Sequence, residues 1–355
     1  MPRSNHAFVI SILSTAMLAV LGCSSRSAQQ AETITITGAG STFVNPIMSK
    51  WIAEYGKSHP GVQINYQSIG SGGGIQQLKK GVIDFGASDV ALSDEQLKEM
   101  PALIQIAESA GPVCITYNLP DLKQPLKLSP TVLAGIYSGN IKNWKDAALA
   151  KINPGTALPD KPIVVVHRSE GSGTTNIFTS YLAEVSPAWA KMTGKGLSVN
   201  WPVGLGGKGS EGVTGLVKQN EGGIGYVELT YATGNRLPVA QIQNKAGNWI
   251  SPSAEGATAA IDAFKTELEA DLRSSIIQPP IAARDAYPIS GMTYLLIPKD
   301  GPDRKKRMVL KDFVRYVITS GQQLSTQMDY SQIPQSLEQL DQRHLDELRA
   351  GGQTL

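Results

Sequence analysis

From Thr33 to Thr37 threonine and isoleucine alternate, the period-two pattern of a strand with one buried face. The run feeds Gly38-Ala39-Gly40-Ser41-Thr42-Phe43. Beyond it Phe43, Ile47 and Trp51, with Val44, Met48, Ile52 and Tyr55, recur at helical spacing. Pro46 falls in the first helical turn, where its missing N–H is tolerated. Val62, Ile64 and Tyr66 alternate again and run into Ser68-Ile69-Gly70-Ser71-Gly72-Gly73-Gly74, with a short helix expected over Ile75 to Lys80. Asp84 to Asp89 reads as a short strand ending in an acid, and Ser93 to Gln96 as a capping-box helix start. Val113 to Tyr117 reads as a strand, and Ser129-Pro130 as a cap followed by proline at the first helical position. Pro162 to Val166 is a β-branched run that predicts a buried strand, and Ile177, Phe178, Tyr181, Leu182 and Val185 predict the helix after it. Strand-like Gly222 to Val227, helical Ala254 to Leu272, strand Tyr294 to Ile297 and helices over Arg304 to Ser320 and Gln335 to Arg349 complete the chain. Strands alternate with helices, so the class is α/β.

One device recurs three times: a strand end, then small and hydroxyl residues, then a helix start. The third copy, Arg168-Ser169-Glu170-Gly171-Ser172-Gly173-Thr174-Thr175, adds a cation and a carboxylate. A helix N-terminus presents unpaired N–H groups and the positive end of a dipole, glycines let a ligand come close, and hydroxyls add donors. With Arg168 that describes an anion site; the same residues also suit a plain N-cap beside a surface arginine. In open α/β folds ligands bind at the carboxyl ends of strands, so three such corners can converge on one point.

Other glycine motifs carry less. Gly204-Leu205-Gly206-Gly207-Lys208-Gly209 fits the dinucleotide pattern literally, but it lies in a glycine-dense loop, Val203 to Gly215, with a poor strand before it and no clear helix after it. Gly206 to Ser210 is not a P-loop, because Gly209 separates Lys208 from Ser210. No Gly-x-Ser-x-Gly elbow surrounds Ser71 or Ser172, and no base is paired with either in sequence.

The 355 residues suffice for about two domains. With 32 basic and 30 acidic residues the chain has no polyanion-binding surface charge, so nucleic acid is not an expected partner and any charge selectivity must be local. Arg3 followed by the apolar stretch Phe8 to Leu21 reads as an export signal over residues 1–22, too short for a mature span. Val20-Leu21-Gly22-Cys23 resembles a bacterial lipobox, which makes Cys23 the expected lipidation site and residues 23–31 a polar tether. Cys114, in an apolar run, is expected in the core, so no disulfide and no cysteine metal site are expected. The four histidines have no metal-ligand spacing, and His167 is expected to pack or orient.

The ordered set of Gly38 to Phe43, Gly70 to Gly74, Asp84 to Asp89, Arg168 to Thr174, Trp201 to Lys208 and Gly223 to Glu228 resembles the periplasmic phosphate-binding proteins of the PstS type, which serve ABC importers. The resemblance spans nearly all of the mature chain. It implies a two-lobed periplasmic-binding-protein fold, type II-like, with the ligand in the cleft. One lobe is expected at 32–109 plus 280–355 and the other at 110–279. It implies phosphate ligands at Thr42 (hydroxyl and N–H), Phe43 (N–H), Ser71, Asp89 (acceptor of the phosphate proton), Arg168 (ion pair), and Ser172, Gly173 and Thr174. Glu170 supports Arg168 where the family pattern has Asp, and Gly72 stands where Ser is common. Taken alone, Asp89 also reads as a cap for the segment that follows it.

The function implied is selective capture of inorganic phosphate in the cell envelope and delivery to the membrane subunits of an importer, without cofactor, metal or catalysis, as a lipid-anchored monomer. Two other readings stay open: a binder of another tetrahedral oxyanion, and a phosphate-ester hydrolase whose Ser/Asp/Arg cluster holds product. Near neutral pH phosphate carries a proton and sulfate does not. A carboxylate facing sulfate leaves two acceptors opposed and buried, at a cost of about 1–3 kcal/mol or more.

Overall fold

The Thr/Ile run forms strand β1, Ile34–Gly40, and the Val/Ile/Tyr alternation forms β2, Val62–Ser68, in parallel register with it. The computed structural model describes residues 33–355, which form one compact unit. The expected signal, tether and Cys23 lie outside the described residues.

Helix α1, Asn45–Ser58, follows β1 and buries Ile47, Met48, Trp51 and Tyr55 of the apolar set its spacing predicts, with Ile52 half-buried at the edge. Helix α2, Ser71–Lys79, starts directly at Ser71, four residues before the apolar spacing announces it. Strand β3, Phe85–Ser88, then pairs parallel with β1. Ser93 closes its capping box with Gln96 as expected.

Strand β4 is longer than its apolar core suggests: Leu103–Tyr117, fifteen residues. Strand β5, Val164–Arg168, leads into helix α3, Gly173–Val185. Strand β6, Leu205–Gly207, leads into helix α4, Gly209–Gln219. The expectation of a loop over Val203 to Gly215 therefore fails. Glycine and threonine make α4 a poor intrinsic helix, but Val213 and Val217 bury one stripe in the core, and tertiary packing overrides propensity. Cys114 is buried in that same cluster, as expected of a core cysteine.

Strand β7, Gly223–Glu228, and strand β8, Ser290–Pro298, complete a sheet of order β2-β1-β3-β8-β4-β7-β5-β6. Its two flanks are parallel, β2-β1-β3 on one side and β7-β5-β6 on the other. The antiparallel strands β8 and β4 join them. The first part of β4 pairs with β8, and its end, Val113–Tyr117, pairs with β7. Each flank thus places its helix-starting corners at the same central junction. The register slips where Thr293 opposes Ser109 and Tyr294 opposes Ala107, which leaves Glu108 as the extra residue of a β-bulge.

Helix α5, Arg304–Ile318, and helix α6, Gln335–Leu345, are shorter at their C-terminal ends than their spacing suggests, and the Ala254–Leu272 stretch divides into helices Ala254–Ala263 and Lys265–Ala270. Helix α6 carries a buried acid, Asp341, whose Oδ1 accepts from the backbone N–H of Ala107 at 3.1 Å. Burial holds its carboxyl well above the usual range. A carboxyl raised by folding adds stability that is complete below its unfolded pKa and is lost as pH rises toward the folded value. Stability should therefore fall as pH rises above about 4, the ordinary aspartate range. Denaturant titrations from pH 4 to 8 should show a shallower fall for Asp341→Asn, the difference being about 1.4 kcal/mol per unit by which the native pKa is raised. Parallel slopes for the two proteins would contradict this.

Candidate anion-binding site

The corner after β1 turns at Gly40, whose φ of +146° and contact with the Ala87 carbonyl admit no side chain. Three tyrosines hold the next three carbonyls. Tyr66 donates to Ser41 O at 2.7 Å, Tyr231 to Thr42 O at 2.6 Å and Tyr330 to Phe43 O at 2.6 Å. In a trans peptide the N–H points away from the carbonyl of the same unit. Fixing Ser41 O and Thr42 O therefore aims the N–H groups of Thr42 and Phe43 in the opposite direction. Among the described residues, neither N–H has an acceptor, nor have those of Ser71, Gly173 and Thr174 at the starts of α2 and α3. These are the free donors that converging helix starts supply.

The corners meet closely. Thr42 Oγ1 and Ser210 Oγ lie 2.8 Å apart, and Ser210 N–H donates to Thr42 Oγ1 at 3.3 Å. Gly72 N–H donates to Gly171 O at 2.9 Å. A Cβ on Gly72 would stand 3.1 Å from Gly171 Cα, so the missing serine side chain permits backbone to meet backbone. A Cβ on Gly173 would stand 2.6 Å from both Ser71 Oγ and Asp89 Cβ. Ser71 Oγ accepts from Asp89 N–H at 3.2 Å, and Ser172 Oγ caps α3 by accepting from Thr175 N–H at 3.1 Å. Thr42, Phe43, Ser71, Asp89, Arg168, Ser172, Gly173 and Thr174 are thus all brought to one junction, and all are buried.

Asp89 is the hub. Ser41 Oγ donates to its Oδ1, Thr174 Oγ1 to its Oδ2 at 3.2 Å, and Thr293 Oγ1 to its Oδ1 at 3.4 Å. Burial pushes its carboxyl up to about 6, against the lowering effect of Ser41, Arg168, Thr174 and Thr293. It stays largely ionised at neutral pH. Arg168, 3% exposed, aims Nη1 at Thr174 Oγ1 (3.4 Å) and Ser210 Oγ (3.5 Å). Its Nε donates to Glu170 Oε1 at 2.8 Å, and Nη2 binds the same oxygen, which also accepts Gly209 N–H at 3.1 Å. Glu170 therefore holds the guanidinium and ties the start of α4 to it.

Ser41, Ser210, Thr293 and the three tyrosines are site residues that the sequence reading did not single out. Ser41, Ser210 and Tyr66 lie in stretches whose pattern shows a turn, a glycine run and a strand, while Thr293, Tyr231 and Tyr330 come from distant elements with no local signal. His167 stacks on Trp201, with ring centroids 4.8 Å apart, and packs as expected. Among the described residues no group of three or more His, Cys, Asp or Glu is placed to hold a metal ion, and no helix is long and apolar enough to cross a membrane.

A family model described as the PBP superfamily domain matches residues 26–320. The "Phosphate-binding protein PstS" of Xylella fastidiosa (strain Temecula1) is 41% identical over 312 residues, covering 88% of this chain and 85% of the relative. The protein of the same name from Pasteurella multocida is 42% identical over 327 residues, covering 90% and 92%. Among solved structures, a high-affinity periplasmic phosphate-binding protein (PfluDING) bound with phosphate aligns with TM-score 0.70 at 22% identity, covering 86% of this chain and 92% of that one. At that identity the likeness speaks for the fold.

Removing the Glu170 carboxylate would leave a buried guanidinium without its ion pair. Glu170→Ala should cost about 3–5 kcal/mol of stability, while Glu170→Gln, which keeps an acceptor oxygen, should cost less. Chemical denaturation of both variants checks this; equal effects would mean that the acceptor at this position does not hold Arg168.

Proposed function

The chain belongs to the PstS family of phosphate-binding proteins within the PBP superfamily, and from that membership we propose that it binds inorganic phosphate at the junction of its corners for delivery to an ABC importer. The observation that carries the reading is Asp89, a buried acceptor set among hydroxyl donors, with Arg168 near Thr174 and free helix-start N–H groups around it. Thr42, Phe43, Ser71, Arg168, Ser172, Gly173 and Thr174 are the proposed donors to the anion's oxygens, and Asp89 accepts its proton.

The electrostatics support selection by protonation state. Arg168 and the helix starts attract any oxyanion. The ionised Asp89 then rejects those that bring no hydrogen, because its acceptor oxygen would face another acceptor. A phosphate ester hydrolysed here would need an activated nucleophile. Ser71 Oγ accepts from Asp89 N–H and Ser172 Oγ from Thr175 N–H, and among the described residues no carboxylate or imidazole accepts either hydroxyl hydrogen, so each is free to donate to an anion and neither is activated. The PstS relatives are named for binding, and we assign this chain the same role, without catalysis.

The proposed lobes are 32–109 plus 280–355 and 110–279; the chain crosses between them within β4 and at 279–280, ahead of β8, and these two crossings are the natural hinge. Contacts between Thr42 and Ser210, Thr174 and Asp89, and Gly72 and Gly171 would all part on opening. A ligand held from both sides favours the closed form. A lipid on Cys23, following the lipobox-like Val20 to Cys23, would hold the protein at an envelope membrane as a monomer.

Calorimetric titration of protein stripped of carried-over anion should give tight one-to-one phosphate binding and little sulfate response at pH 7. Asp89→Asn should lose at least about tenfold of that discrimination, or about 1.4 kcal/mol. Sulfate should compete better as pH falls through about 6, where Asp89 takes up a proton and becomes a donor. Equal binding of both anions by the wild type at pH 7 would contradict the assignment of Asp89; no binding of either would contradict the site.

A further inference from the structure

Glu108 is a buried carboxyl at the bulge of β4. A bulge re-aims the side chain it carries. Glu108 Oε1 lies 3.1 Å from Thr293 Oγ1, and that same hydroxyl lies 3.4 Å from Asp89 Oδ1. Glu108 Oε2 has no partner among the described residues.

A threonine hydroxyl carries one hydrogen. It cannot donate to two carboxylates, so the bridge Glu108–Thr293–Asp89 needs one further proton. Asp89 has donors from Ser41 and Thr174 in addition, and Arg168 nearby, all of which favour its charged form. Among the described residues the Glu108 carboxyl has only Thr293. An ionised Glu108 would bury a charge with one oxygen unsatisfied, whereas a neutral acid with its hydrogen on Oε1 leaves only a carbonyl unpaired.

Resting on the phosphate reading, we propose that Glu108 is a positioning residue held as a neutral acid, donating its O–H to Thr293 Oγ1 so that the Thr293 hydroxyl donates to Asp89. This relay keeps Asp89 charged and oriented as the acceptor of the phosphate proton without placing a second negative charge behind it. Burial supports the assignment by pushing the Glu108 carboxyl up to about 8, with Asp89 adding to the rise and Thr293 opposing it. The titratable groups that face Glu108 are Asp89 and Tyr66, and Arg168 lies beyond Asp89. The segment Ser320–Leu324 contributes Gln322, which donates to the Glu108 backbone carbonyl at 2.9 Å. The phenol of Tyr66 is held well above its ordinary value, so it stays neutral through the range tested.

Above about pH 8 Glu108 should ionise, contest the Thr293 hydrogen and repel Asp89 and the anion. Inorganic phosphate passes from a mixture of mono- and dianion near pH 7 to the dianion at pH 9.5, a change that wild type and variant meet alike, so the relay is read from the ratio of their Kd values. Between pH 7 and 9.5 the phosphate Kd of the wild type should rise roughly tenfold relative to that of Glu108→Gln, the size of one pKa unit of charge–charge interaction. Glu108→Gln keeps an N–H donor toward Thr293 and cannot ionise, so its profile should show the ligand's own titration alone. Parallel profiles would overturn the relay, whereas a wild type that binds no phosphate at pH 7 would overturn the phosphate reading instead. Infrared difference spectra at pH 7 decide the relay without ligand. A protonated-acid carbonyl band present in the wild type and missing from Glu108→Gln supports it; identical bands in the two proteins overturn it. If Glu108→Gln does not fold, Thr293→Val serves: the acid band should move to higher frequency when its acceptor is lost, and an unmoved band overturns the proposal.

Discussion

A buried aspartate and a buried arginine are held at one junction of the fold, and neither neutralises the other by direct contact. Arg168 is clamped by Glu170, while Asp89 is surrounded by hydroxyls from Ser41, Thr174 and Thr293. Thr174 stands between them, donating to Asp89 and accepting from Arg168. The strands that end here, the helices that begin here and the glycines that let them touch keep these opposite charges apart but close. A partner that is negative overall and carries one hydrogen satisfies both.

Much of the remaining construction orients backbone. The hydroxyls of Tyr66, Tyr231 and Tyr330 fix three consecutive carbonyls after β1, so the direction of the free N–H groups is set from outside the turn. Tyr231 and Tyr330 come from segments far along the chain, which makes this corner dependent on the assembled fold. Pre-oriented dipoles need no reorganisation when an anion arrives, unlike mobile lysines.

The parts of this arrangement that could be read from sequence are those written locally. Three corners show as alternating strands, small hydroxyl residues and helical spacing, and they place Thr42, Ser71 and Arg168 correctly at strand–helix junctions. The ligand roles proposed for Asp89 and Gly173 rest on the family pattern, since alone each reads as an ordinary cap or turn residue. The fourth corner was hidden because its helix, α4, is rich in glycine and is held by the burial of Val213 and Val217. Glu108 and Thr293 were hidden for a different reason. Their partnership depends on a one-residue register slip between β4 and β8, and no local pattern encodes a bulge.

The most direct test is neutron diffraction from crystals of the phosphate complex grown near neutral pH. The assignment of Asp89 predicts a single hydrogen between one of its carboxylate oxygens and a phosphate oxygen, with Arg168 contacting the opposite side of the anion. Phosphate bound with no oxygen within hydrogen-bonding distance of Asp89 would contradict it.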